Sequence, residues 1–253
     1  MQELINRILA KNSYNVYDLA DIVRVLRSEN GCPWDKVQTH ESIRKDFLEE
    51  VYEVLEAIDA DDPAMLREEL GDVLLQVVFH AQIETEKQNF DLDAVADEVC
   101  KKLIIRHPHV FGDVNADTVD KVLTNWDAIK KEEKHQETFT DTLRSVPRVF
   151  PSLMRAQKLT KRANRAGADL EDKNEAIALI RKRLDEIGSS DAPQDNAFGN
   201  MLLLCAELAR LTGVDAEEAL GYECDKFTAR FEKAERSGKE LSSQARGLFE
   251  KDS

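Results

Sequence analysis

The chain has 253 residues, of which 42% are hydrophobic and 34% charged, and its formal net charge is −15. A chain of this length can bury a core in one large domain or two small ones, and a strongly negative protein repels a nucleic-acid backbone. The four cysteines form no CxxC pair, and no stretch is long and apolar enough to predict a membrane span. We therefore expect a cytoplasmic protein with no structural zinc site and no nucleic-acid or membrane partner.

The fold class follows from the periodicity of the apolar residues. They recur at helical spacing in several segments, and clusters of Gly, Pro and Asp separate these segments. Gly and Pro are otherwise scarce, at 10 and 6 residues, which favours helices over short strands. The predicted helices cover residues 16–26, 40–60, 64–87, 92–106 and 119–135. We expect an all-α fold built as a helical bundle.

The third predicted helix differs from the others because residues 73–79 are apolar on nearly every face. Such a helix is expected to be buried on most sides. Glu69, Asp72, Gln76 and His80 nevertheless fall at i, i+3, i+7 and i+11, so they form one polar stripe along it. An ionised side chain in apolar surroundings requires a partner, which makes this stripe a candidate functional site.

The acidic residues of this stripe have a matching pair of carboxylates on the second helix. Glu50 and Glu53 share one face of the second helix, and Glu69 and Asp72 share one face of the third. The break at residues 61–63 is short, so the two helices should pack as an antiparallel hairpin with the acids facing each other. Converging carboxylates repel unless a cation binds them, and oxygen ligands suit Mg²⁺. The alternative is a solvated acidic face, which Glu49 and the residues beside it could equally form.

Other site chemistries are poorly supported. The sequence has no P-loop, no HExxH and no GxSxG. A di-iron bundle needs two Glu-x-x-His motifs, and only residues 132–135 supply one. His40, His107, His109 and His135 are more typical of surface or loop positions than of metal ligands.

The second half of the chain repeats features of the first. Residues 199–203 resemble residues 71–75, and residues 224–230 resemble residues 100–106. Similarity in the same order predicts a duplicated helical domain. Between the copies lies a Pro-punctuated connector with a basic run at 155–165, which is either a solvated helix face or a patch for an acidic partner. The expected domains cover residues 1–136 (N-terminal), 137–165 (connector with the basic helix) and 166–253 (degenerate C-terminal copy).

Five short blocks of this sequence resemble those of a known family. Five blocks occur in order: Gly31-Cys32-Pro33-Trp34-Asp35-Lys36, Glu49-Glu50-x-x-Glu53, Glu69-x-Gly71-Asp72, Arg106-His107-Pro108-His109-Val110-Phe111 and Trp126-x-x-Ile129-Lys130. Together they resemble the MazG family of nucleoside triphosphate pyrophosphohydrolases, strongly over residues 16–165 and weakly beyond. The resemblance implies an all-α MazG-like fold, a tight homodimer, and Mg²⁺-dependent hydrolysis of NTPs or dNTPs to the monophosphate and pyrophosphate.

The resemblance also implies roles for individual residues. By motif, Glu50, Glu53, Glu69 and Asp72 would be the Mg²⁺ ligands, with Mn²⁺ as a substitute ion, and Glu49 an outer or second-metal carboxylate. The phosphates need cations, and the base needs an aromatic surface. For either tryptophan the alternative is a packing role. The substrate-binding candidates are Trp34, Lys36, Lys102, Arg106, Trp126 and Lys130.

The second copy departs from the family pattern. Its residues at the four ligand positions are Arg183, Glu186, Ala197 and Asn200, so only one carboxylate is left. We expect this copy to have lost metal binding, although it could still bury apolar surface or hold a nucleotide through Lys226 and Arg230. A non-catalytic helical dimer that senses nucleotides or binds a partner is the alternative to an enzyme.

Overall fold

A computed structural model gives the architecture of the chain. It describes residues 1–114, 118, 121–122, 125–126, 129, 138–170, 172–189, 195–238, 240, 242 and 244–249. Across these ranges the regular structure is helical and contains no β-strand, which confirms the all-α prediction. The chain divides into two compact units, Met1–Trp126 and Asp127–Ser253.

The helices of the first unit agree closely with the prediction. They are α1 Gln2–Leu9, α2 Val16–Arg27, α3 Arg44–Asp59, α4 Pro63–Glu86, α5 Leu92–Arg106 and the short α6 Pro108–Phe111, with a 3₁₀ turn at Asp35–Val37. The sequence did not predict α1, and α3 begins at Arg44 rather than at residue 40. The predicted helix at 119–135 falls largely outside the described residues.

Side-chain caps determine where these helices begin. The Asn15 side chain accepts hydrogen bonds from the N–H groups of Tyr17 and Asp18, and the Asp18 carboxylate accepts one from the Asn15 N–H, so α2 starts with a capping box. At the start of α4 the Asp62 side chain accepts hydrogen bonds from the N–H groups of Ala64 and Met65, and Pro63 occupies the first turn.

The α3–α4 turn is only three residues long. Asp61 adopts a left-handed backbone with φ 50°, a conformation that a non-glycine residue adopts with difficulty. The N–H groups of Asp61 and Asp62 donate to the carbonyls of Ile58 and Ala57. The last turn of α3 is thereby closed directly onto the start of α4.

Helix α4 is the central element of the first unit, since α2, α3 and α5 all pack against it. The buried cluster consists of Val23, Ile43, Val78, Phe79 and Ile83. Of residues 73–79, expected to be buried on most sides, Val78 and Phe79 are buried and four others are half-buried, but Leu74 remains 40% exposed within this unit. The core lies towards the second half of α4, and the outer face of the α3–α4 hairpin stays apolar and open.

The second unit contains α7 Phe139–Arg144, α8 Ser152–Asn164, α9 Lys173–Gly188, α10 Asp195–Leu211, α11 Ala216–Arg236 and α12 Ala245–Phe249. Here α10 is central, with α8, α9 and α11 packed against it. The segment predicted as a connector therefore includes the short helix α7. Arg230, a candidate nucleotide contact, donates to the Leu248 carbonyl at 2.8 Å and pairs with Glu223 at 2.6 Å.

None of the described helices is by itself long and apolar enough to cross a bilayer, and α10 and α11 satisfy length and composition only jointly, across a bend of 105°.

Candidate metal centre

The α3–α4 hairpin brings three of the predicted ligands together. Carboxylate oxygens of Glu50, Glu69 and Asp72 lie within 4.8 Å of one another, and all three side chains are half-buried. Glu50 comes from α3, whereas Glu69 and Asp72 come from successive turns of α4. The facing arrangement predicted from the spacing of the acids is therefore present in the described part of the chain.

The fourth predicted ligand, Glu53, lies against the same cluster. It is exposed, yet it is within hydrogen-bonding reach of both Glu50 and Glu69. Burial, followed by the charges of Asp72 and Glu53, raises the pKa of Glu50. Burial, followed by the charges of Glu53 and Glu68, raises the pKa of Glu69. Burial and like charge both disfavour the ionised form of these two carboxyls, so a bound cation would stabilise it.

The donor set of the cluster fits a hard divalent cation. Among the described residues, no lysine or arginine forms an ion pair with these four carboxylates. The ligands are oxygen atoms without any nitrogen or sulfur, which suits Mg²⁺ or Mn²⁺ better than zinc or copper. Glu49, the fifth predicted carboxylate, is on α3 beside Glu50 and is fully exposed.

The other two residues of the polar stripe on α4, Gln76 and His80, differ in their hydrogen bonding. The side-chain oxygen of Gln76 is buried and has no hydrogen-bond partner among the residues that the structure describes. One turn further, His80 Nδ1 lies 2.7 Å from His40 Nδ1, and His40 Nε2 lies 2.6 Å from Glu84 Oε1. This link ties the segment before α3 to α4. Sequence reasoning missed it, since it treated His40 as a surface residue.

Glu84 is the anchor of that link. Hydrogen bonds from Lys87, Asn89 and His40 lower the pKa of Glu84 to about 2. Burial and the neighbouring His40 lower the pKa of His80, which favours its neutral form. The carboxylate of Glu84 is thus satisfied by local donors, unlike the carboxylates of the cluster.

Arg27 holds the segment that carries two substrate-binding candidates. Its guanidinium donates to the Asp35 carbonyl at 2.7 Å, to the Gln38 carbonyl at 3.1 Å and to the Glu86 carboxylate at 2.8 Å. The neighbouring Trp34 is 60% exposed, and Lys36 Nζ donates to the Glu29 carbonyl at 3.2 Å. Arg27 was another residue that the sequence did not single out.

The candidates near the end of α5 are more enclosed. Lys102 is half-buried and pairs with Glu98 at 3.6 Å. Arg106 is only 7% exposed, and its guanidinium lies 5.5 Å from the ring centre of Trp126. The His107 ring meets the Trp126 ring edge-on at 4.8 Å. These contacts favour the packing interpretation of Trp126. Lys130 lies outside the described residues.

Comparison with known proteins is consistent with this geometry. Residues 38–111 match the model of the MazG nucleotide pyrophosphohydrolase domain, a stretch that contains the whole carboxylate cluster. The chain is 42% identical over 226 residues to a nucleoside triphosphate pyrophosphohydrolase of Escherichia coli, with 86% of each chain covered. It is 39% identical over 220 residues to the nucleoside triphosphate pyrophosphohydrolase/pyrophosphatase MazG of Thermotoga maritima, covering 86% of this chain and 84% of the relative.

Proposed function

This chain belongs to the MazG family of nucleotide pyrophosphohydrolases, and we propose that it hydrolyses nucleoside triphosphates to the monophosphate and pyrophosphate at the α3–α4 carboxylate cluster. The single observation that carries the proposal is the convergence of Glu50, Glu69 and Asp72 within 4.8 Å, inside the stretch that matches the family model. The names of the relatives from E. coli and T. maritima support the reaction type.

Within this proposal Mg²⁺ is the resident ion, and Mn²⁺ can replace it. Glu50, Glu53, Glu69 and Asp72 would hold the ion, with Glu49 as an outer carboxylate. When bound, the ion supplies charge neutralisation and alignment for the triphosphate. The chain's own contribution is a rigid hairpin that holds carboxylates from two helices in place before the substrate arrives.

The substrate contacts are assigned from the chemistry of the candidate side chains. We place the phosphates against Lys36, Lys102, Arg106 and Lys130, because a triphosphate needs cationic donors. We assign base stacking to Trp34, whose ring is largely exposed, in preference to Trp126, whose ring is already in contact with Arg106 and His107.

We also propose a cytoplasmic homodimer. The hairpin leaves a row of large apolar side chains open on both helices, including Val51 (38% exposed), Leu55 (49%) and Leu70 (51%). A contiguous apolar face of this kind marks an interaction surface, and a second copy would bury it symmetrically. Sedimentation of Leu74→Glu should show monomers, whereas Leu9→Glu on exposed α1 should leave the dimer intact. A dimeric Leu74→Glu chain would contradict this assignment.

The two units are proposed to be tandem copies, with domains at 1–136, 137–165 and 166–253. The boundary at 136 falls outside the described residues. In each unit a central helix packs against one preceding helix, its hairpin partner and the following helix. Three matched positions are buried in both units and three are exposed in both, whereas Glu69 is half-buried and Ala197 buried, and Asp72 is half-buried and Asn200 exposed. The buried pairs are Ile43 with Ala176, Val78 with Ala206 and Phe79 with Glu207, and the exposed pairs are Val51 with Leu184, Leu70 with Phe198 and Leu74 with Leu202.

Pyrophosphate release across NTPs and dNTPs with Mg²⁺ tests the proposed activity. Asp72→Asn and Glu53→Gln should each reduce the rate by at least about 1,000-fold, because each removes a ligand charge from the cluster. Glu186→Gln, in the second unit, is the matched control and should change little.

Three outcomes separate the alternatives. Activity that survives Asp72→Asn would overturn the assignment of the site. Equal damage from Glu186→Gln would overturn the assignment to the first unit alone. Mg²⁺ and nucleotide binding without any pyrophosphate release would favour the non-catalytic nucleotide-sensing or partner-binding module.

A further inference from the structure

The α9–α10 hairpin of the second unit has a guanidinium where the first hairpin has its carboxylate cluster. When residues 182–186 are aligned with 49–53, and 199–203 with 71–75, Arg183 is equivalent to Glu50 and Asn200 is equivalent to Asp72. Glu186 then corresponds to Glu53, and Ala197 to Glu69. The burial shared at six matched positions supports the same pairing independently of the motif.

The Arg183 side chain bridges the two helices of its hairpin. Its Nη1 donates to both carboxylate oxygens of Glu186, at 2.6 Å for Oε1, and its Nε donates to Asn200 Oδ1 at 2.6 Å. Glu186 is on α9 with Arg183, whereas Asn200 is on α10. The side chain is 29% exposed, so it is held between the helices rather than extended into solvent.

Charge balance explains why this contact replaces a metal. The first hairpin presents four carboxylates, and oxygens of three of them, Glu50, Glu69 and Asp72, converge within 4.8 Å. The second hairpin presents one carboxylate and one guanidinium at the matched positions, which are formally neutral together. A guanidinium stays protonated at any physiological pH and donates several hydrogen bonds to oxygen acceptors.

We propose that Arg183 is a built-in cation: its guanidinium fills the place that a divalent ion takes in the first hairpin, joins α9 to α10 without metal, and closes this hairpin to metal and triphosphate. The inference rests on the proposed cation site of the first unit. It goes further in stating that the second hairpin keeps the geometry of a cation site and supplies the cation from its own sequence.

Rebuilding the acidic site tests this inference. In the full-length chain with Glu50→Gln and Asp72→Asn, we would add Arg183→Glu, Ala197→Glu and Asn200→Asp, and titrate Mn²⁺ by electron paramagnetic resonance. The rebuilt chain should bind one Mn²⁺ more than its parent. Because Ala197 is buried, a second version omits its substitution and still gains two carboxylates beside Glu186. The matched control carries Lys182→Glu, Asn196→Asp and Ala219→Glu, which make the same charge change at exposed positions, and it should gain no Mn²⁺ site.

The readout is the difference in Mn²⁺ stoichiometry, so the inference can be judged apart from the proposed function. A parent that still binds Mn²⁺ at the first hairpin would contradict the proposed function alone. The inference is overturned if neither rebuilt version gains an ion, whether it stays folded by circular dichroism or unfolds, because the hairpin would then not be a cation site. An ion bound by the wild-type second unit and lost on Glu186→Gln would overturn it as well.

Discussion

The two hairpins of this chain have the same packing and opposite electrostatics. In α3–α4 the matched positions are four carboxylates, and burial, followed by the charges of neighbouring carboxylates, raises the pKa values of Glu50 and Glu69. In α9–α10 the same positions hold a neutral guanidinium–carboxylate–amide set. The helices pack in the same order around both. The fold therefore depends on the apolar faces of the helices, and the acids of the first hairpin are kept despite their effect on stability.

The largest expected effect comes from making the first hairpin resemble the second. Glu50→Arg should abolish Mn²⁺ binding and lower pyrophosphate release by at least about 1,000-fold, because a guanidinium would neutralise the remaining carboxylates and repel the ion. Helical content by circular dichroism should be unchanged.

Glu56→Arg is the control for that substitution. Glu56 is exposed on the same helix, so the change in charge is identical while the cluster keeps all its carboxylates. A Glu56→Arg chain as inactive as Glu50→Arg would show that net charge, rather than occupation of the cluster, determines activity.

A smaller effect is expected from metal on the stability of the first unit. Both tryptophans of the chain, Trp34 and Trp126, belong to this unit, so tryptophan fluorescence reports its melting separately. Saturating Mg²⁺ should raise this Tm by about 4–10 °C through binding to the folded state. Glu50→Arg should remove the response. An equal rise in Tm with Mg²⁺ in Glu50→Arg would show that the ion does not stabilise the first unit by binding to the carboxylate cluster.

A still smaller effect should appear in chelator, where the cluster has no ion. Because the folded pKa of Glu50 lies above its usual 4.5, its contribution to stability is full below that pH and is lost as the pH rises through the raised pKa. Glu50→Gln should therefore melt about 2–4 °C higher than wild type at pH 7, with the advantage shrinking towards pH 4.5. With Mg²⁺ present the order should reverse. A variant less stable than wild type in chelator at pH 7 would contradict the assigned repulsion.

The smallest effect concerns the segment before α3, which has no tryptophan counterpart before α9. Trp34→Ala should raise the KM for a nucleoside triphosphate by about 3–10-fold through lost base stacking, with little change in kcat. The Tm should hardly move because the ring is 60% exposed. Trp126→Ala is the contrasting variant, and its main effect should be a lower Tm. Loss of stability without any KM change in Trp34→Ala would assign a packing role to Trp34.

Helical periodicity predicted most of the first unit and the facing of its acids. Four predicted helices agree with α2, α3, α4 and α5. Side chains of Asn15, Asp62 and Asp91 cap the starts of α2, α4 and α5, whereas α3 has no side-chain cap and begins four residues later than predicted. The convergence of Glu50 with Asp72 followed from two spacings and one short turn. The roles of these side chains, and the metal, stay predictions.

The sequence did not predict contacts between residues that are far apart in the chain. Nothing local to His40 indicates that it meets His80 and Glu84, about forty residues away in the chain. The sequence predicted that the second copy has lost metal binding, but the bridge from Arg183 to Asn200 depends on the register of α9 against α10. The open face of α4 was missed because a continuous apolar run looks the same whether its own unit covers it or leaves it exposed.

The turn at Asp61 has a consequence for how each hairpin tolerates change in length. Three residues, 60–62, join α3 to α4, whereas residues 190–194, between α9 and α10, lie outside the described part of the chain. One residue added to the shorter turn would rotate α4 by about 100° relative to α3 and carry Asp72 away from Glu50. Insertions and deletions should therefore be rare at residues 60–62 across relatives that retain the acids, and common where the acids have been lost.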